Sequence, residues 1–233
     1  MVELVLSGTP KNALSRALME RVTAEIKAAK GQPVLVRGDG DTFSAGLHLK
    51  ELAALDAAAM AGFLGALEDM VDALFSHDAP LVAAIGGHAI AGGCVIALAC
   101  DARVATSSQR ARIGLNEVAI GLMFPPKTWR LVRHAVPPAS ASRVLLGGEL
   151  FSPEQARALG LVDELADDPS ARAAERLAEL AAHPAAAYAE IKRAMRAGAL
   201  DVSPGDRARY HDVVLPMWCG DELRQRLLAV LKR

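Results

Sequence analysis

Aromatic residues make up only 4% of this 233-residue chain, cysteines number three, and the formal net charge is −1, from 26 Lys and Arg against 27 Asp and Glu. Each scarcity excludes something. Without a charge bias the chain lacks the electrostatic footprint of a nucleic-acid binder or of a protein held on an anionic membrane, so an anionic ligand must be gripped by a few local groups. Cys94, Cys100 and Cys219 show no CxxC spacing and have no histidine at ligand spacing. This argues against a disulfide framework and a zinc site and for a reducing, cytoplasmic setting. The opening MVELVLSG carries an acid inside a strand-like run and no basic segment, so no secretory leader is expected.

With few aromatics, Ala, Leu and Val must fill the interior, which favours closely packed elements. Hydrophobic residues reach 52%; with glycine counted, the apolar share is about 60% against a usual ~45–50%. Such a chain has ample apolar surface to offset its ordering entropy, and its length suits one domain with at most a small appendage. Residues 81–100, LVAAIGGHAIAGGCVIALAC, hold no formal charge over the length a spanning helix needs. The pairs Gly86-Gly87 and Gly92-Gly93 would weaken a helix at two places, so the segment reads as buried strand, glycine loop and buried helix, with no membrane span.

The rest of the chain reads as strands alternating with helices. A strand at 2–6 is followed by a helix capped by Ser15, with Leu18, Val22, Ile26 and Ala29 at helical spacing and Gly31 as its stop. A strand at 33–36, a turn at 38–41 and a turn entering a helix at 43–51 come next. Then follow a helix at 60–75, the uncharged segment with its helix at 94–99, and strands at 101–105 and 111–114. Pro125-Pro126 and Pro137-Pro138 punctuate short helices. Ser152, Pro153 and Gln155 form a capping-box helix start, and Gly160 ends that helix before a strand at Leu161-Val162. Beyond Asp168 the texture turns helical, at 171–182, 185–197, 204–219 and 221–231. We therefore expect an α/β core over residues 1–168 and a helical region over residues 169–233.

Two loops and one acid carry the candidate chemistry. The loop at 86–93 lies between a strand and a helix, where unpaired N–H groups can hold an anion or a developing oxyanion. It is neither a P-loop nor a dinucleotide fingerprint, because Gly93-Cys94 stands where Lys and Ser or Thr are required and the glycines are wrongly spaced. The same glycines are also what a tight, closely packed turn needs. The loop at 43–51, FSAGLHLKE, is a second strand-to-helix passage whose Gly46 lets backbone approach a ligand, so two loops could each supply one N–H. Glu117 is a lone acid before an apolar stretch running to Pro126. Burial there would raise its pKa and suit a proton shuttle, whereas a solvated helix-start acid is the plainer alternative.

NALS (12–15), FSAGLHLKE (43–51), PLVAAIGGHAIAGGC (80–94), CDARV (100–104), NEVAIG (116–121) and FSPEQARALGLVDE (151–164) stand in an order that resembles the crotonase, or enoyl-CoA hydratase/isomerase, superfamily. The resemblance implies a crotonase-like spiral of ββα units with a C-terminal helical region. It also implies a homotrimer or dimer of trimers and an acyl-CoA thioester substrate, with no cofactor beyond the coenzyme A of the substrate and no metal. Carried over by position, the N–H groups of Leu47 and Gly92 form an oxyanion hole, and Ala45, Leu47, His48, Leu49, Lys50 and Gly92 bind substrate, Lys50 towards the nucleotide end. Family members usually begin with a further N-terminal strand or hairpin, which this chain is expected to lack.

The departures sharpen the expected reaction. Hydratases of the superfamily hold water between two glutamates; the later one falls on Glu117, but the earlier falls on Val95, which cannot polarise water. One carboxylate suffices to move a double bond from the 3,4 to the 2,3 position, so isomerisation is preferred, with hydration and non-catalytic acyl-CoA binding as alternatives. His48 replaces a common Asp and is expected to be structural. Leu122-Met123-Phe124-Pro125-Pro126 replaces a glycine-rich stretch and is expected to wall the pocket for a fatty acyl chain.

Overall fold

The structure is a computed structural model that describes residues 1–231. Strand β1 (Val2–Leu6) leads to helix α1 (Arg16–Ala28), whose Ser15 side chain accepts the Leu18 N–H as expected for its cap. Then come β2 (Val34–Gly38), β3 (Thr42–Ser44), α2 (Leu49–Leu52) and α3 (Ala57–Phe75), followed by β4 (Leu81–Ile85), β5 (His88–Ile90) and α4 (Gly92–Ala99). The third repeat of this pattern is β6 (Ala102–Thr106), β7 (Ile113–Gly114) and α5 (Glu117–Ile120). Short helices α6 (Pro126–Ala135), α7 (Pro138–Leu146) and α8 (Pro153–Ala158) precede β8 (Glu164–Ala166). The tail is α9 (Pro169–Ala181), α10 (Ala185–Arg196), α11 (Pro204–Arg209), a π-helical turn (Tyr210–Val214), α12 (Leu215–Trp218) and α13 (Asp221–Leu231).

Each strand–strand–helix repeat adds one strand to each of two sheets. The larger sheet runs β1-β2-β4-β6-β8 and the smaller β3-β5-β7, with every neighbouring pair parallel. The chain therefore climbs as a spiral, as expected. The larger sheet is covered on both faces, which is why its central strand reads as an unbroken apolar run. Leu81, Ala83 and Ile85 face the main core, while Val82 and Ala84 join Ala102, Val104, Ala173 and Leu177 under α9. Alanines at that second contact let α9 lie close to the sheet without aromatic filling. Among the described residues no helix is long and apolar enough to cross a membrane.

Four local expectations need correction. The loop at 86–93 contains a strand, β5, and α4 starts at Gly92 rather than at Cys94. Leu161 and Val162 are buried loop residues, and the strand begins at Glu164, where it can pair with β6. The turn at 43–51 opens on β3, whose partner β5 lies more than 40 residues on. The segment at 204–219 is helical but broken, because Pro216 offers no N–H and the Leu215 N–H reaches back to the Tyr210 carbonyl through the wider π turn.

Candidate active site

The small sheet gathers the candidate residues. Because β3, β5 and β7 are parallel and paired Ser44 to Ala89 and Ile90 to Gly114, their C-terminal ends open at one edge. The segments leaving them carry Ala45 to Leu47, Ala91 and Gly92, and Asn116 and Glu117. All of these except Gly46 line a single cavity of about 190 Å³.

The two glycine-bearing exits are pressed together. Gly46 has φ +86, and a Cβ there would sit 2.7 Å from the Ile90 carbonyl and 3.3 Å from the Gly92 nitrogen. Gly93 is equally confined, since a Cβ would meet the Ser44 carbonyl at 2.5 Å. Ala91, a non-glycine at φ 51, makes the sharp turn that starts α4 at the cavity. Backbone strain of this kind costs on the order of 1–3 kcal/mol and persists only where its surroundings enforce it. A bridge between Leu14 and Leu47 uses the Gly46 carbonyl and the His48 N–H. Parallel pairing leaves the Leu47 N–H directed away from that bridge. Among the described residues, neither the Leu47 nor the Gly92 N–H has a protein acceptor.

Polar groups behind the loops fix this shape. The buried Ser44 hydroxyl donates to the Asn12 carbonyl at 2.8 Å and accepts the Gly46 N–H at 3.2 Å. Asn12 is 4% exposed, and its amide donates to the carbonyls of Asp39 and Thr42 at 2.9 and 2.7 Å.

Glu117 begins α5 and is 7% exposed. Its carboxyl is pushed up to about 8, chiefly because burial strips it of water, with only its own backbone N–H opposing. Two buried polar atoms on consecutive residues, Glu117 Oε2 and Asn116 Oδ1, have no hydrogen-bond partner in the protein. Glu117 is the one ionisable side chain lining the cavity among the described residues, and Val95 lines it too. Leu122, Met123, Phe124 and Pro125 supply an apolar wall. That wall is held by Glu68, which accepts the N–H groups of Lys127 and Thr128 at 2.7 and 2.9 Å and so caps α6 from α3.

Of the other sequence candidates, Leu49 lines the cavity, whereas His48 and Lys50 do not. His48 Nδ1 accepts the Glu51 N–H at 3.0 Å and caps α2, and Lys50 is exposed. Asn116, Thr128, Trp218 and Val230 were not singled out by sequence reasoning, yet they line the cavity. Trp218 and Val230 come from the tail of this same chain. Larger concavities lie elsewhere, at about 1330 and 630 Å³. Their cations are largely paired, among them Lys127 with Asp72, Arg130 with Asp206, and Lys192 and Arg196 with Asp101. No group of three His, Cys, Asp or Glu among the described residues could hold a metal ion.

The enoyl-CoA hydratase/isomerase family model matches residues 4–215. The chain belongs to this family. Human mitochondrial enoyl-CoA delta isomerase 1 is 31% identical over 161 residues, 67% of this family member and 53% of that protein. The 2,3-dehydroadipyl-CoA hydratase of Escherichia coli K12 is 34% identical over 164 residues, 66% of this chain and 61% of that one. The chain thus spans between about half and three fifths of these curated relatives. The crystal structure of human mitochondrial delta3-delta2-enoyl-CoA isomerase superimposes with a TM-score of 0.86 at 27% identity, over 97% of this chain and 90% of that one. The crotonase fold is shared with an enoyl-CoA hydratase from Bacillus halodurans, at a TM-score of 0.82 and 22% identity.

Proposed function

We propose that this protein is an acyl-CoA enzyme that moves a double bond of an enoyl-CoA from the 3,4 to the 2,3 position. The observation that carries the reading is the single desolvated acid, Glu117, in an apolar cavity that Val95 also lines, Val95 being the position where the resemblance puts a hydratase's second acid. The Glu117 carboxylate takes a proton from C2, and the electron pair moves into the thioester to give a dienolate. Its oxyanion is held by the N–H groups of Leu47 and Gly92, donors fixed in advance and therefore effective where charge develops. Protonated Glu117 then returns the proton to C4, leaving the 2,3 double bond and a regenerated base. A pKa near 8 makes Glu117 a far stronger base than an ordinary carboxylate while keeping an ionised fraction at neutral pH. Ala45, Leu47, Leu49 and Gly92 contact the thioester, with His48 and Lys50 nearer the coenzyme A outside the cavity.

Residues 1–168 carry the acid and the donors, and Trp218 and Val230 from the helical region after them close the cavity. The tail also offers Ile191 and Met195, one helical turn apart on α10 and 69% and 64% exposed, as a face for assembly into a homotrimer or dimer of trimers. Light scattering reads that assembly directly. The reaction is tested by following exchange of the C2 proton of an enoyl-CoA with solvent. Wild type should exchange it, and Glu117→Gln should lose exchange while still binding the thioester; unchanged exchange in the variant overturns the assignment. The Escherichia coli relative named as a hydratase favours hydration as a second reading. Formation of 3-hydroxyacyl-CoA from a 2-enoyl-CoA would establish it. Tight thioester binding with no exchange, isomerisation or hydration would mark a non-catalytic binder.

A further inference from the structure

The cavity is closed by an indole from the far end of the chain. Trp218 is 4% exposed and lines the cavity beside Met123, Phe124 and Thr128, with Val230 following from α13. Its Nε1–H donates to the Met123 carbonyl at 3.0 Å, which fixes the ring and ties the tail to the apolar wall across 95 residues of sequence. The placement follows from local chemistry. Pro216 cannot continue regular α hydrogen bonding, and the π turn at Tyr210–Val214 accommodates one extra residue before it. At 3.6 residues per turn, one residue rotates everything after it by about 100° around the helix. Trp218 is thereby turned to the cavity, and Met217 beside it is left 49% exposed.

At about 190 Å³, the cavity lies below the ~300–1,000 Å³ of typical small-molecule sites. Its size fits part of an acyl chain rather than a long one, and its lining apart from Asn116, Glu117 and Thr128 is apolar or, like Trp218, largely so. We propose that Trp218 sets the length of acyl chain this site accepts, making the protein selective for short acyl thioesters. The inference rests on the acyl-CoA reading above and adds the residue that determines specificity.

The test uses the full chain and saturated straight-chain acyl-CoA esters of four to twelve carbons, which bind without turnover. Each methylene buried is worth about fourfold in affinity. Wild-type affinity should rise at about that rate over the shortest esters and then stop rising. In Trp218→Ala the rise should continue for at least two further methylenes, so that the ten-carbon to six-carbon affinity ratio grows by about fifteenfold or more. Trp218→Phe should fall between. The same length profile in all three proteins, with six-carbon binding retained, overturns the proposal. If the alanine variant does not fold, Trp129→Phe leaves Trp218 as the sole indole of the two in the chain. Six-carbon ester binding should then shift its emission, and an unchanged spectrum overturns the contact. Failure here is separable from failure of the isomerase reading. A Trp218-dependent length profile without C2 proton exchange refutes only the reaction, and exchange with an invariant profile refutes only this role of Trp218.

Discussion

Replacing Glu117 by Gln should raise stability as it removes activity, because the wild-type carboxyl is held in the fold at a cost. The group is 7% exposed, its Oε2 lacks a partner, and burial raises its pKa from 4.5 to about 8. At ~1.36 kcal/mol per unit, that displacement corresponds to at most about 5 kcal/mol. In the unfolded chain the group ionises near its ordinary value, while in the fold it keeps its proton to about pH 8. The wild type is therefore least burdened below pH 4.5, loses stability as pH rises from there, and loses no more once pH is well above 8. Glutamine is neutral throughout. The difference in Tm between variant and wild type should open between pH 4.5 and about 8 and then level off. A fifth of the ceiling, about 1 kcal/mol, already moves Tm by about 2–4 °C in a chain of this size. Scanning calorimetry at unit steps from pH 5 to 9 reads it. A pH-independent difference, or a variant less stable than wild type at pH 9, would refute the desolvated-acid argument.

The same ionisation governs turnover: kcat/KM for isomerisation should rise with pH to a plateau above about 8, measured on purified wild type, and stay at background in Glu117→Gln. Gly46→Ala should cut kcat by about a hundredfold or more in steady-state assays, since its Cβ would meet the Ile90 carbonyl at 2.7 Å and part the two donor N–H groups. Asn12→Ala strands the buried carbonyl of Thr42 and frees the loop above it, and should cost about 2–3 kcal/mol in urea unfolding. Lys192, 5% exposed, donates to Asp101 at 2.7 Å and to the Ala79 carbonyl at 2.9 Å. Lys192→Ala leaves that buried acid short of a partner and should cost about 3 kcal/mol by the same measurement.

What could be read from sequence was what local chemistry fixes. The unbroken apolar run of β4, the Ser15 cap and the Ser152 capping box each declare themselves within a few residues. Glu117 before an apolar stretch, and the glycines of two strand exits, were legible for the same reason. Three-residue strands such as β5 carry too little alternation to show, and they exist because parallel neighbours pair with them. The helices of the tail were legible, but the tail's contact with the cavity escaped for a different cause. Nothing near Trp218 announces Met123 as its partner, because the contact is made by the fold and by a π turn that shifts the helical period. Asn116 hid beside a more conspicuous acid, and its unpartnered Oδ1 is visible only once burial is known. Lys192 and Arg196, read as ordinary helix positions, close on Asp101 as a buried anchor that pins α10 to the core.

In the proposed reaction one shielded carboxyl, Glu117, carries the proton from C2 to C4. The direct test is a 3-enoyl-CoA deuterated at C2, turned over by the wild-type protein in ordinary water, with deuterium at C4 of the 2-enoyl-CoA product read by mass spectrometry at short times. Label should be carried over to C4 in part, the remainder being lost to the solvent exchange described above, with no turnover in Glu117→Gln. Isomerisation by Glu117→Gln at the wild-type rate, or 3-hydroxyacyl-CoA as the product, would contradict it.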